Sequence, residues 1–521
     1  MGFVEISHLC CALPDGRVLL KDASFRVGDG QKVALVGANG AGKTTLLRVV
    51  AGDTPAQSGT VTSDGELGVM RQFIGAIDDS TTVTEFLLGL SPMRVREAAT
   101  RLAVAEARID DDPMRYAAAL AGWGDAGGYA AEVLWDTCTT TALGLALDEA
   151  GPRLVRTLSG GEQKKLALEA LLRGESSVLL LDEPDNFLDV TGKEWLEDAL
   201  RTSDKTVVFV SHDRELLART ATAIVTVEGH TAWVHGGGFE SYHQAREGRL
   251  DRLDELHRRH REERQRIVEQ LRNYRQWASL NDKFAARKKA METKLRHFDE
   301  REGPTERPRD QRVEMRLSGG RTGVRVVTCT GLGFRGLVEP FDSEVIFGER
   351  VAVVGPNGSG KSHFLRLLAG ESIDHEGESR LGARVVSGYF NQTHDAPAWR
   401  GRTPVELLAG EGLPRGPAMA KLRRYELHEA GDQPFETLSG GQQARLQILL
   451  LEVKGANLLL LDEPTDNLDV VSAEALEDGL NGFDGTVLAA THDRWFMRGF
   501  ERFLVFSDDG VVTEALEPAA L

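Results

Sequence analysis

The run GANGAGKTTLLRVVAG, Gly37 to Gly52, returns later in the chain as GPNGSGKSHFLRLLAG, Gly355 to Gly370. Each copy matches G-x-x-x-x-G-K-[ST], follows an apolar stretch of strand character (Val33–Val36 and Val351–Val354) and opens a helical pattern. In that context the match is specific for a phosphate loop. Its glycines let backbone N–H groups converge on an anion, and the helix start adds the positive end of its dipole. Three further landmarks recur: LSGGEQKKLALEALL from Leu158 as LSGGQQARLQILLLE from Leu438, LLLDEPDNFLDV from Leu179 as LLLDEPTDNLDV from Leu459, and SHDRELLAR from Ser211 as THDRWFMRG from Thr491. These are offset by 280 residues and the phosphate loops by 318, so the first half carries about 38 extra residues between its phosphate loop and its LSGG. Such self-similarity reads as two copies of one α/β unit.

Each recurring residue type suits one part of phosphoryl chemistry. Lys43 and Lys361 are placed to reach the β/γ-phosphates, and Thr44 and Ser362 to give a hydroxyl to Mg²⁺. Gly37, Asn39, Gly40, Gly42 and Thr45 complete the first cradle; Gly355, Asn357, Gly358, Gly360 and His363 complete the second. Apolar strands ending in Asp182 and Asp462 bring a carboxylate to the metal at the sheet's carboxyl edge. Glu183 and Glu463 follow, where a base or a water-orienting group is needed. His212 and His492 precede Asp-Arg after β-rich segments and suit the γ-phosphate; Gln72 and Gln392 are candidate metal or water contacts by position. Ser159, Gly160 and Gly161, and likewise Ser439, Gly440 and Gly441, begin helices and offer a second kind of anion-binding helix start. A lone Glu after a strand can merely cap a loop, and a lone His can be a satisfied loop residue. Recurrence of the whole set in both halves favours the catalytic reading.

The 521 residues suffice for two or three domains, and 41% apolar content fits a globular chain. No apolar run approaches the ~18 residues of a membrane span. The N-terminus lacks a basic stretch followed by an apolar one, so a cytoplasmic protein is expected. Cys10, Cys11, Cys138 and Cys329 show no metal-ligand spacing. Net charge is −18, yet Arg246–Arg301 holds 17 Lys/Arg against 11 Asp/Glu, a balance of +6 that leaves −24 for the remainder. One basic element on an acidic body reads as a local docking surface.

Two segments interrupt the repeat. The 38-residue excess falls at 91–128, where helical compositions over Arg94–Ile109 and Met114–Leu120 flank an Asp-Pro break. Between the halves, Leu253, His257, His260, Arg264, Ile267, Leu271, Tyr274 and Ala278 follow 3–4 spacing. After a break at Ser279–Asp282, a second stripe of Phe284, Met291, Leu295 and Phe298 predicts an antiparallel helical partner. The LSGG at Leu317–Gly320 precedes strand-like Val324–Cys329 instead of a helix, and is a decoy.

Taken together these motifs resemble the ATP-binding-cassette superfamily over almost the whole chain. The resemblance implies an α/β architecture: two tandem phosphate-loop NTPase domains, 1–240 and 321–521, joined by an antiparallel α-helical hairpin linker, 241–320. It implies head-to-tail stacking within a monomer, with Lys43, Glu183 and the second LSGG on one ATP, and Lys361, Glu463 and the first LSGG on the other. Paired cassettes with a charged linker of about eighty residues look like the F subfamily, the translational ATPases. Its members occupy the ribosomal tRNA exit site and reach P-site tRNA with the linker. NDKFAARKKAMETKLRHFDE, Asn281–Glu300, is similar to that family's basic second linker helix. Arg272, Arg275, Lys283, Arg287, Lys288, Lys289, Lys294 and Arg296 are then candidate contacts to rRNA and tRNA, read through phosphate and shape. A solvated helical spacer is the plainer reading of the same charges.

The insertion at 91–128 sits where the family carries its ribosome-touching arm, and a plain surface embellishment is an equal reading of the same residues. The short join Ser279–Asp282 favours regulating translation over drug protection, whose practitioners carry longer tips. A transporter's fused ATPase subunit competes with this reading; iron–sulfur recycling ATPases and zinc-bearing repair cassettes need cysteine clusters. Departures from the family pattern are Leu13, where an aromatic residue stacks on adenine (Phe334 being a possible counterpart), Asp185 and Phe187 for Thr and His, and His363 for Thr. An acid at Asp185 weakens phosphate binding unless it is turned away or paired.

Overall fold

The computed structural model describes residues 2–12, 16, 18–71, 80–280, 282–300, 303, 308, 313–391 and 397–516. Each half builds a six-stranded sheet around its phosphate loop. In the first half the order is Leu67–Met70, Val178–Asp182, Thr206–Val210, Lys32–Val36, Ala223–Glu228 and Thr231–His235; in the second it is Ser387–Phe390, Leu458–Asp462, Thr486–Ala490, Arg350–Val354, Arg502–Phe506 and Val512–Ala515. All neighbours pair in parallel except the last strand of each, which turns back antiparallel. Parallel strands covered on both faces read as continuous apolar runs, and Val178–Asp182 and Leu458–Asp462 are buried throughout. A three-stranded antiparallel sheet accompanies each half, Val18–Val27, Val4–Ala12 and Ser58–Ser63 in the first, and Val338–Ile346, Arg325–Phe334 and Glu376–Leu381 in the second.

The excess residues of the first half form helices Met93–Glu106 and Pro113–Asp125. Asp112 caps the second by accepting from the Arg115 N–H, and Pro113 takes the first helical position, where its missing donor costs nothing. Trp123 and Trp135 bury the base of this region, with ring centroids 6.4 Å apart.

Both cassettes form one compact unit, Met1–Gly236 with Gln311–Leu521, and Gly237–Asp310 forms another. The decoy LSGG belongs with the second cassette, whose core buries Met315 and Leu317, and no helix begins directly after it among the described residues. In the separate unit, helix Phe239–Leu280 runs 42 residues, about 63 Å at 1.5 Å per residue. It pairs antiparallel with Ala285–Glu300: Arg264 meets Asp299, Arg275 meets Glu292, and the His260 and Phe298 rings lie 4.7 Å apart. Ile267 and Leu271 are buried, whereas Ala285–Glu300 buries none of its residues. Among the described residues no helix is long and apolar enough to cross a membrane.

Candidate active site

A single cleft of about 710 Å³ is lined by both phosphate loops and both LSGG turns. It brings together Asn39, Gly40, Gly42, Lys43, Thr44, Thr45, Glu183, His212, Ser439, Gly440 and Gly441, and also Asn357, Gly358, Gly360, Lys361, Ser362, His363, Glu463, His492, Ser159, Gly160 and Gly161. Gln72, Gln392 and Leu13 lie outside the described residues. Phe334 is 3% exposed in the core, its ring 6.1 Å from that of His363, and Leu19 lines the first cradle instead.

The loops face each other head to tail. Asn39 of the first phosphate loop donates from Nδ2 to the Asn467 carbonyl at 3.0 Å, and from its backbone N–H to Asp469 at 3.2 Å. Reciprocally, Asn357 Nδ2 donates to the Phe187 carbonyl at 3.0 Å. Gly441 touches Asn39 so closely that an added Cβ would collide with its amide. Gly441→Ala is therefore expected to cut ATP hydrolysis at least ~10-fold by misplacing the loop. Unchanged turnover in a phosphate-release assay would show that the contact gives way freely.

Local conformation explains several residue choices. Gly42 and Gly360 precede their helices at φ 103° and 98°, a left-handed region that side-chain-bearing residues avoid. Glu183 and Glu463 occupy the same region at φ 50° and 46°. Strain of this kind in non-glycine residues concentrates at functional positions. Ser159 and Ser439 complete capping boxes with Glu162 and Gln442, which fixes the start of each LSGG helix.

Burial sets the electrostatics. Lys43 and Lys361 donate to their own loop carbonyls, Gly37 and Gly355, at 2.7 and 2.8 Å, and burial holds both below the usual lysine range. Burial, then the neighbouring Glu183, pushes Asp182 up to about 6; burial likewise raises Asp462. Each carboxylate faces a hydroxyl, Thr44 to Asp182 at 3.4 Å and Ser362 to Asp462 at 3.0 Å. Paired oxygen donors and a carboxylate that favours a countercharge are the chemistry a hard dication such as Mg²⁺ takes, so these residues fit that ion. His212, pushed down to about 3 by burial and Lys43, is neutral, and His492 is lowered for the same reasons by burial and Lys361.

Asp185 Oδ1 is buried without a hydrogen-bond partner among the described residues. It is buried near Lys193, whose Nζ lies 2.9 Å from Asp213. Burial and then Asp213 raise the Asp185 carboxyl to about 7, while Lys193 works in the opposite direction. Phe187 holds the left-handed φ of 68° that Asn467 holds at 66° in the second half. Sequence reasoning missed Lys193, Asn186 and Lys164. Asn186 Nδ2 donates to Glu183 Oε2 at 2.8 Å, and Lys164 Nζ to the Glu183 carbonyl at 2.6 Å. Comparing the halves position by position exposes them, since Ala444, Asp466 and Ala473 stand at the matching places.

Two ion pairs close the interface reciprocally. Arg214 grips Glu477 with both guanidinium nitrogens, and Arg494 grips Glu197 in the same way. Both partners match across the 280-residue offset.

A family model described as ABC transporter matches residues 20–186 and 338–466. An "Antibiotic resistance protein" of Mycobacteroides abscessus is 51% identical over 99% of this chain and 100% of its own length. ABC transporter F family member 2 of Arabidopsis thaliana is 31% identical over 95% of this chain and 75% of its own. The energy-dependent translational throttle protein EttA of Haemophilus influenzae is 30% identical over 96% of this chain and 91% of its own. With two phosphate loops, two LSGG helices and a helical hairpin unit in one polypeptide, the chain belongs to the F subfamily of ATP-binding-cassette proteins and is an ATPase.

Proposed function

We propose that the chain is a ribosome-associated ATPase of the cytoplasm that regulates or protects translation. Each ATP would lie between one phosphate loop and the opposite LSGG, and Thr44 with Asp182, or Ser362 with Asp462, would hold its Mg²⁺. The ion would neutralise phosphate charge as the terminal phosphoryl group departs. Glu183 and Glu463 orient the attacking water, and neutral His212 and His492 offer a ring N–H to the γ-phosphate. Closure around ATP gives the shape that docks, and hydrolysis releases it. Support for the cross-cassette reading comes from the reciprocal contacts of Asn39 with Asn467 and of Asn357 with Phe187.

The ribosomal assignment rests on the hairpin. Between Leu271 and Arg296 stand eight bases against two acids. Of these bases Arg272, Arg275, Lys283, Arg287, Lys289, Lys294 and Arg296 are exposed, and Lys288 is half-buried. Exposed guanidinium and ammonium groups on a helix suit RNA phosphates. The name of one relative, a translational throttle protein, agrees with a target in translation, and that of another, an antibiotic resistance protein, with a protective role. Replacing Lys288, Lys289 and Lys294 together by Glu is expected to lower ribosome pelleting ~10-fold or more and to flatten its salt dependence. Undiminished pelleting at every salt concentration would return the hairpin to a spacer. Cell-free translation with and without drugs of the large subunit separates regulation from protection.

A further inference from the structure

The repeat aligns Asp185 with Thr465 and Lys193 with Ala473, so a buried acid and a buried base enter together in the first half alone. Lys193 reaches across the interface: its Nζ donates to the backbone carbonyl of His492 at 3.3 Å while resting 2.9 Å from Asp213. Burial disfavours its ammonium, but Asp213 and Asp185 of its own cassette and Asp493 and Asp466 of the other hold it charged, above the ordinary lysine range. Its ion pair with Asp213 in one cassette and its hydrogen bond to the His492 carbonyl in the other span the interface.

His492 is tied to the second site at two points. Its N–H donates to Glu463 Oε2 at 3.1 Å, and its Nε2 meets Asn357 Oδ1 at 3.1 Å. At the first site the corresponding glutamate, Glu183, accepts from the amide of Asn186. The second half has Asp466 there, and an ionised carboxylate has no hydrogen to give. The two glutamates are thus supported differently.

We propose that Lys193 is a positioning residue for hydrolysis at the second site, anchoring the His492 backbone from the opposite cassette so that its N–H orients Glu463. This rests on Glu463 being that site's water-orienting group. The test is steady-state ATPase of the full chain in two single-site backgrounds, Glu463→Gln leaving the first site and Glu183→Gln leaving the second. Lys193→Met is expected to lower kcat ~10-fold in the Glu183→Gln background with KM for ATP changed less than ~2-fold, and to change kcat less than ~2-fold in the Glu463→Gln background. Equal losses in both backgrounds, or none in either, overturn the proposal.

Methionine changes the net charge, so Asp185→Thr with Lys193→Ala supplies a variant of unchanged net charge carrying the second half's own residues. Retention of the second-site defect in that variant supports positioning; return of the full rate means that Lys193 acts only by balancing buried charge, and the proposal falls. Undiminished hydrolysis in a chain bearing both Glu→Gln changes would instead refute the assignment of the glutamates.

Discussion

A chain carrying Glu183→Gln and Glu463→Gln is expected to bind ATP, to hydrolyse it ~10³-fold more slowly, and to accumulate on ribosomes from which the unaltered protein cycles away. The amide keeps the volume and neutral polarity of the acid while losing the ability to take a proton. Glu463 is the favourable case, because burial and then Asp466 raise its carboxyl well above the usual range. Substituting glutamine there removes a repulsion at the interface without opening a cavity. At Glu183 an amide oxygen still accepts from Asn186, so local geometry persists. Co-sedimentation in ATP reads the result; equal pelleting of the altered and unaltered chains would count against release by hydrolysis.

The second large effect concerns closure itself. Arg494→Glu sets two carboxylates against each other at Glu197, which is 4% exposed. Losing one partner of a buried pair costs about 3–5 kcal/mol, enough to shift the closed state more than ~100-fold. Exchanging the pair, Arg494→Glu with Glu197→Arg, is expected to return only part of that loss, since Arg219 also approaches Glu197 at 3.2 Å and would then meet a like charge. Fluorescence transfer between dyes on the two cassettes, with a non-hydrolysable ATP analogue, measures closure. An unaltered response in Arg494→Glu would leave the pair without a part in it.

Much of the cleft's lining was legible because its parts are local in sequence. A phosphate loop is one turn, an Asp-Glu pair one strand end, and an LSGG a helix start, each recognisable within a dozen residues. The helical hairpin was legible for a similar reason: spacing alone paired His260 with the stripe containing Phe298. The hairpin unit runs Gly237–Asp310 against the 241–320 read from sequence, and Met315 and Leu317 joined the second cassette because their apolar side chains fill its core. Contacts through backbone carbonyls were not legible, since the carbonyls of Phe187, Asn467 and His492 carry no sequence signal. Lys193 lies in none of the recurring motifs, and only the fold shows that it reaches the other cassette. The acid at Asp185 was visible, whereas the burial that raises its carboxyl required the fold.

Asp185 and Lys193 also show what covalent fusion of two like halves permits. In an assembly of identical protomers every mutation is duplicated by symmetry, so a new lysine brings a twin. Around this interface the twin would crowd a second ammonium and a second acid among carboxylates already facing one another. On a single polypeptide the halves are free to diverge: one can acquire a compensated charge while its sibling keeps threonine and alanine.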